Sequence, residues 1–315
     1  MPPKIITVVL NTNRRDDTLA CLESLSASNY DNLQVMVLDN ASSDGSVEAI
    51  SARFPAVETV RLEHNLGYAG NNNVGIRRAL AQGADWVFVL NEDTLVEPDC
   101  LSTLIAAALS GPRVGVVGPM VYTFDPGQII SSAGGAIDWH IADAPNIGMG
   151  QVDNGQFPAR PVDYINGCGL LISRVAIEAA GLIDDTFFIY FEETDWCARV
   201  RKAGFEIHFV PTAHMRHKAP ITASAFGPST LYYMTRNRLR FFARHTPWPR
   251  WPFTLAHALN GAWRGYRQHR AAGRPQHARA TAYAVWHALS RRWGKVDPGL
   301  WAPTAGDRTL GHVRQ

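Results

Sequence analysis

Buried strands read as unbroken apolar, β-branched runs and amphipathic helices as apolar residues three or four apart; this chain alternates the two from its start. "KIITVVLN" (4–11) is a strand, and Leu19, Leu22 and Leu25 mark a helix behind it. "LQVMVLDN" (33–40) leads to the Ser/Asp-started helix "SSDGSVEAISARF". "VETVRLEHN" leads to "GYAGNNNVGIRRALAQG", closed by Gly83, and "ADWVFVLNEDT" to "EPDCLSTLIAAALS". Repeated strand–helix units with right-handed crossovers predict an α/β fold with a mostly parallel central sheet and helices on both faces. Such sheets bind ligands at the carboxyl ends of their strands. The polar strand ends Asn11-Thr12, Asp39-Asn40, His64-Asn65 and Asn91-Glu92-Asp93 should therefore share one rim.

Past Val114–Met120 the alternation stops. Residues 122–160 are rich in Gly, Asp and Ser and read as long loops or short antiparallel strands. "DYINGCGLLISR" is a further strand, "RVAIEAAG" a helix, and "FEIHFVPTAHMRH" a last strand bearing His208, His214 and His217. Between them "FFIYFEETDWCARVRKAG" sets acids between an aromatic run and a helix. "STLYYMTRNRLRFFARH" and "FTLAHALNGAWRGYRQHR" are helical by periodicity, broken apart by "TPWPRWP". The domains expected are an α/β domain over 1–245 and a basic, aromatic-rich helical extension over 246–315.

Composition sharpens this picture. A chain of 315 residues, 46% hydrophobic, can bury a large core, which excludes a disordered tail-builder. Four scattered cysteines without CxxC favour neither a zinc ribbon nor a disulfide scaffold, and point to a reducing compartment. The start "MPPKIITVVL" leaves no room for a signal peptide, and no run is apolar and long enough to span a bilayer. The net charge of +2 conceals a split: residues 1–206 carry 26 acids against 13 bases, while 207–296 carry 15 bases and no acid. Such a basic half attracts an anionic surface, or packs against the acidic half.

Asp93 on a strand end is exposed and fixed enough to hold Mg²⁺ or Mn²⁺ against a diphosphate, with Glu92 or the Asn91 amide beside it. The competing assignment is an acidic turn before the next helix. Asp39 suits a base N–H or a ribose hydroxyl; the alternative is an Asx turn, though Ser42, Ser43 and Asp44 already offer caps. "GYAGNNNVG" is neither a dinucleotide fingerprint nor a P-loop. Glu192 and Asp195 share a helix face and Glu193 points elsewhere. Acids there satisfy the helix dipole, or one is a general base whose pKa Tyr190, Phe191 and Trp196 raise by excluding water. His214 or His217 could complete a metal shell.

"VVLNTNRRDDTLACLESL", "VLDNASSDGS", "HNLGYAGNNNVGI", "FVLNEDT", "NGCGLLISR" and "FFIYFEETDWCARVRKAG", in this order over residues 4–245, resemble the inverting glycosyltransferases of family 2, in their bacterial rhamnosyltransferase-like branch. The resemblance implies the GT-A fold and transfer of a sugar, with dTDP-rhamnose the favoured donor, from a nucleoside diphosphate to an acceptor hydroxyl. It places Asp39, with Thr12, Asn13, Arg14, Asn65, Gly67 and Asn71, around the donor nucleotide. Asp93 and His217 fall on its metal ligands, and Glu193, with Glu192 its rival and Asp195 in the same cluster, on its base. Arg236 or Arg238 falls on a diphosphate or acceptor-phosphate contact. A glycan or polyprenyl-linked acceptor is implied, at the inner face of the cell membrane. The Trp- and Arg-rich tail suits an anionic bilayer, ordinary packing or a homodimer; nucleic acid is not expected. Two other readings compete: a nucleotide-sugar-binding protein without turnover, and a nucleotidyltransferase, against which "LNTNRRDD" lacks a glycine-rich loop.

Overall fold

A computed structural model describes residues 1–125, 127–218 and 227–302; the end of the expected extension, 303–315, lies outside the described residues. The chain forms two compact units. The first takes Met1–Ala136, Ala144–Asp185 and the described residues from Glu192 to Lys218; the second takes Ile137–Asp143, Thr186–Phe191 and the described residues from Gly227 onward.

The first unit is a GT-A-like α/β fold with a ten-stranded mixed sheet flanked by helices. Strands β1 (Ile5–Asn11), β2 (Leu33–Asp39), β3 (Glu58–Arg61) and β4 (Trp86–Asn91) run parallel in the order β3-β2-β1-β4. Helices α1 (Arg15–Ser26), α2 (Ser46–Arg53) and α3 (Gly67–Ala81) connect them. After β5 (Thr94–Val96), α4 (Cys100–Ala108) leads into β6 (Val114–Tyr122), and short β7 (Ile130–Ser132) and β8 (Arg160–Pro161) pair at the sheet's margin. Strand β9 (Gly169–Ser173), followed by α5 (Arg174–Ala180), then inserts antiparallel between β4 and β6. The last elements are α6 (Glu192–Lys202) and β10 (Glu206–His217), which runs parallel to β6 and antiparallel to β5.

The sheet is held by fully buried side chains such as Ile5, Val9, Phe88, Leu90, Val117, Leu171 and Met215. Each contributes about 1.5–3 kcal/mol by leaving water. An added Cβ at Gly169 in β9 would press into the Met215 sulfur of β10 and force that buried side chain to shift. Two consequences matter for function. Inserting β9 sets the turn before it, Asn166–Cys168, at the carboxyl end of β4, where the Asn91 N–H donates to the Cys168 carbonyl at 3.1 Å. Pairing β10 with β5 sets His217 opposite Thr94, one residue past Asp93.

The second unit is a bundle of α7 (Pro228–His245), α8 (Trp251–Ala271) and α9 (Pro275–Leu289). "TPWPRWP" does break the chain: a 3-10 turn, Trp248–Arg250, separates α7 from α8, and Pro252 sits in the first turn of α8, where its missing N–H costs nothing. The periodicity of larger apolar residues does not reveal α9, whose buried positions include Ala278, Ala280 and Ala284. Within this unit Phe188, Tyr190 and Phe191 hold positive φ, rare for side chains of this bulk. Asn237 Nδ2 donates to the carbonyls of Phe187, Ile189 and Tyr190 at 2.8–2.9 Å and so holds the strained run in place. No helix among the described residues is long and apolar enough to cross a membrane.

Candidate active site

Every group of the site lies in the first unit. Its first corner forms where β1 and β2 end side by side, with Asn11 in register with Asp39. Asp39 is only 1% exposed, and both its oxygens are used: Asn11 Nδ2 donates to Oδ1 at 2.8 Å and the Ser42 N–H to Oδ2 at 3.1 Å. The Asx-type turn is thus realised, and Asp39 faces any ligand through its remaining lone pairs. Asn11 also accepts from Thr18 Oγ1 at 2.8 Å, and Asn13 Oδ1 from the Ser43 N–H at 2.8 Å. Thr12 is exposed, and its hydroxyl accepts from Asn40 Nδ2 at 3.2 Å.

Arg14 joins this corner to the next. Its N–H donates to Asn11 Oδ1 at 3.4 Å, and its guanidinium lies 4.0 Å from Glu92 and 3.9 Å from Asp93. Asp93 Oδ1 faces His217 Nε2 at 3.1 Å, and Asn91 Nδ2 is 3.5 Å from the same nitrogen. His214 instead meets the Pro211 carbonyl at 2.9 Å and the Tyr122 ring, so of the two histidines only His217 reaches Asp93. Burial alone would raise the Asp93 carboxyl, but the hydrogen bond and charge of His217, with Arg14 beyond, hold it below its usual value. Burial opposes a charged His217; the Cys168 sulfur and Asp93 outweigh it and push the imidazole up to about 10. Glu92 is the reverse case, pushed up to about 7 by burial and by Asp93.

The third corner is the start of α6. Glu192 is 4% exposed, and its Oε2 has no hydrogen-bond partner among the described residues. Glu193 is half-buried and accepts from Thr194 Oγ1 at 3.3 Å. Burial raises both carboxyls, and the Glu193 charge drives Glu192 further up, well above the ordinary range. Asp195 is separate in kind: fully buried, it accepts from Arg199 Nε at 2.8 Å, and Arg199 in turn ties the Ala180 and Leu182 carbonyls. That is a structural knot at the helix start.

A residue and a turn given no role on sequence connect these corners. The Tyr68 hydroxyl donates to the Gly167 carbonyl at 2.5 Å, and burial, then the Glu192 and Glu193 charges, keep that phenol un-ionised. A Cβ on Gly167 would lie 3.6 Å from that of Glu193. The next residue, Cys168, is the one that meets His217 and Asn91. "NGCG" thus spans from the Asp93–His217 pair to the Glu192–Glu193 pair. Its sequence mark was an asparagine between flanking strand and glycines, which forms an Asx turn with Asn166 Oδ1 accepting from the Cys168 N–H at 3.0 Å.

The remaining expected residues are placed as follows. Asn65 Oδ1 accepts from the Gly67 N–H at 2.8 Å and Asn71 Oδ1 from the Leu66 N–H at 3.1 Å, so both fix the start of α3, and Gly67 supplies a positive φ there. Arg236 belongs to the second unit, where its guanidinium donates to Asn237, Tyr232, Gly294 and Phe187. Arg238 donates to the Ile141 carbonyl at 3.0 Å and to that of Ala142. Among the described residues no group of three or more His, Cys, Asp or Glu gathers around one point. The Asp93–His217 pair nonetheless suits a hard divalent cation that takes most of its ligands from phosphate and water.

The profile of the family "Glycosyl transferase family 2" matches residues 5–181. A "N-acetylglucosaminyl-diphospho-decaprenol L-rhamnosyltransferase" of Mycobacterium tuberculosis is 30% identical over 269 residues, 76% of this chain and 84% of that protein. A "dTDP-rhamnosyl transferase RfbF" of Shigella flexneri is 24% identical over 228 residues, 69% of this chain and 73% of its own. Among solved structures, a mannosyltransferase from Pyrobaculum calidifontis in complex with GDP-Man and Mn²⁺ aligns with a TM-score of 0.56 at 16% identity, over 98% of this chain and 79% of that one. At that identity the likeness bears on fold.

Proposed function

Since the chain belongs to glycosyl transferase family 2, transferring a sugar from a nucleotide sugar to an acceptor, we propose that it is an inverting rhamnosyltransferase using dTDP-rhamnose. What carries the reading is the line of contacts from Asp39 through Asn11 and Arg14 to Asp93–His217 and on to Cys168, whose neighbour Gly167 lies beside Glu193. The rhamnosyl transfer named for the mycobacterial and Shigella relatives supports the choice of sugar.

In this reading Asp39 orients the nucleoside, and Thr12, Asn13 and Arg14 line the path to the diphosphate. Asp93 and His217 would hold Mg²⁺ or Mn²⁺, which offsets charge developing on the departing diphosphate. Glu193, the more accessible of the two raised carboxylates, takes the acceptor's hydroxyl proton. The acceptor oxygen bonds to the anomeric carbon opposite the diphosphate, whose C–O bond breaks and keeps the electron pair. One displacement with one base inverts the centre. Glu192, buried beside Glu193, is raised further than its neighbour, so its neutral form is the more favoured of the two and Glu193 is the member that serves as base.

The acceptor in this reading is a lipid-linked sugar of a cell-surface glycan precursor, met at the inner face of the membrane. Support comes from the acceptor in the mycobacterial relative's name and from the surface of the second unit. Trp248 and Phe253 are 81% and 78% exposed near the start of α8, and Arg264, Arg267 and Arg270 are exposed near its end, a combination suited to an anionic interface.

The test is nucleoside diphosphate release from a panel of nucleotide sugars with a polyprenyl-linked acceptor, with and without Mn²⁺. Release should be strongest with dTDP-rhamnose, and Glu193→Gln should lower kcat about 10²–10⁴-fold while donor binding persists. Donor binding without release in the unaltered protein would convert the reading to a binding protein. Full turnover in Glu193→Gln would remove the base assignment.

A further inference from the structure

We propose that a cavity within the second unit binds a phosphate-bearing ligand with an apolar or aromatic flank, a site independent of the sugar-transfer reaction. The cavity holds about 450 Å³, and its walls include Tyr232, Arg236, Trp286, His287, Arg292 and Lys295. That volume is in the range of small-molecule sites and exceeds what a bare phosphate fills.

Its charge is one-sided. Residues 227–302 contain twelve arginines and Lys295 against one acid, Asp297. Asp297 also lines the cavity, but its Oδ1 accepts from the Gly299 N–H at 2.8 Å as a helix cap. Arg236 is 1% exposed, yet its contacts are all with neutral groups: the Asn237 amide, the Tyr232 hydroxyl, the Gly294 and Phe187 carbonyls, and the faces of Tyr232, Tyr233 and Trp293. A cation taken from water costs several kcal/mol unless an opposite charge returns it. Among the described residues no carboxylate lies in ion-pair range of Arg236, and none pairs with Arg292 or Lys295 at the exposed margin. An anionic ligand would supply the missing charge.

The walls also select what the anion carries. The Arg292 guanidinium lies 4.4 Å above the Trp286 ring, which is itself 47% exposed, so a cation and an aromatic face stand side by side. Deeper, the Tyr232 hydroxyl and His287 Nδ1 share a hydrogen bond at 2.6 Å, adding a polar floor. Phosphate oxygens suit the exposed Arg292 and Lys295, with the uncompensated charge of Arg236 behind them, and a ring or acyl chain beside the phosphate suits the tryptophan. Soluble phosphate esters and phosphatidic acid share this chemistry.

The experiment uses the full chain. Phenyl phosphate and inorganic phosphate are titrated by calorimetry, and vesicles of phosphatidylcholine with or without phosphatidic acid are tested by flotation. Arg292→Ala/Lys295→Ala, whose exposed side chains make no hydrogen bond to any described residue, should bind phosphate ligands about tenfold more weakly or worse. Its thermal midpoint should match the parent's. Trp286→Ala should weaken phenyl phosphate more than inorganic phosphate. Variant-sensitive binding of the soluble esters identifies a soluble ligand; variant-sensitive binding confined to phosphatidic acid vesicles identifies a lipid headgroup. Binding in neither arm, or binding that the double variant leaves unchanged, overturns the proposal.

Discussion

Asp39 and Glu192 are both carboxylic acids buried to within a few per cent, and the fold treats them in opposite ways. Asp39 receives a donor on each oxygen, from Asn11 and Ser42, so its charge is distributed over a fixed loop. Glu192 has an oxygen without any partner among the described residues and a second carboxylate as its neighbour. A partnered acid serves as a rigid point of attachment. A solitary one has its neutral form favoured by burial and is suited to proton chemistry or to governing the charge beside it. Position along the chain does not separate these roles; the supply of donors does.

Asp93 offers the largest effect on which to break this contrast. It is partnered like Asp39, but by His217, its companion in the proposed metal site, and by Arg14, 3.9 Å away, instead of by an amide and a backbone N–H. Asp93→Ala is expected to weaken metal-dependent donor binding about 10–100-fold, the range seen when groups governing a metal site are removed. Calorimetric titration of dTDP-rhamnose with and without Mn²⁺ checks it, and unchanged affinity would return Asp93 to a structural role.

The next effect is on stability. Asp39→Ala strips the acceptor from Asn11 Nδ2 and the Ser42 N–H, and leaving buried donors unmatched costs about 1–3 kcal/mol. Glu192→Gln, replacing an acid whose neutral form burial already favours, should move stability by less than about 1 kcal/mol. Urea midpoints of the two variants decide it. Equal losses would show that the two acids are held alike.

Much of this arrangement was legible in the sequence. Period and turn chemistry mark β1 to β4, and their polar ends do gather, because parallel strands joined by helices must all finish on one side. Asp93 was marked by its place after "VFVLN". What escaped depends on contacts between remote segments. The junction of Asn91, Cys168 and His217 exists only because β9 enters antiparallel beside β4 and β10 pairs with β5, and no local pattern encodes that pairing. Tyr68 was hidden inside a helix start that reads as capping. Asp39 carried surplus caps nearby, yet the fold uses its own carboxylate for the turn. Arg236, basic and beside aromatics, donates to neutral groups of the second unit and lines a cavity there, a placement that composition does not foretell.

The smallest effect concerns Glu92, which stands between the two extremes because Arg14 approaches it while burial and Asp93 oppose its ionisation. Its pKa is 4.5 when unfolded and rises to about 7 in the fold. Between those values the folded chain binds more proton than the unfolded chain, so stability falls as pH increases. The contribution is complete below about pH 4.5 and is lost as pH rises through 7. After discounting for the part of the side chain that meets water, it amounts to about 1–2 kcal/mol. Glu92→Gln removes this titration, so the variant should lose less stability than the parent between pH 5 and 7.5, about the window this pKa sets. Urea unfolding at several pH values reads the difference. Parallel curves for variant and parent would mean that Arg14 keeps Glu92 ionised throughout, which would place it with Asp39 among the partnered acids.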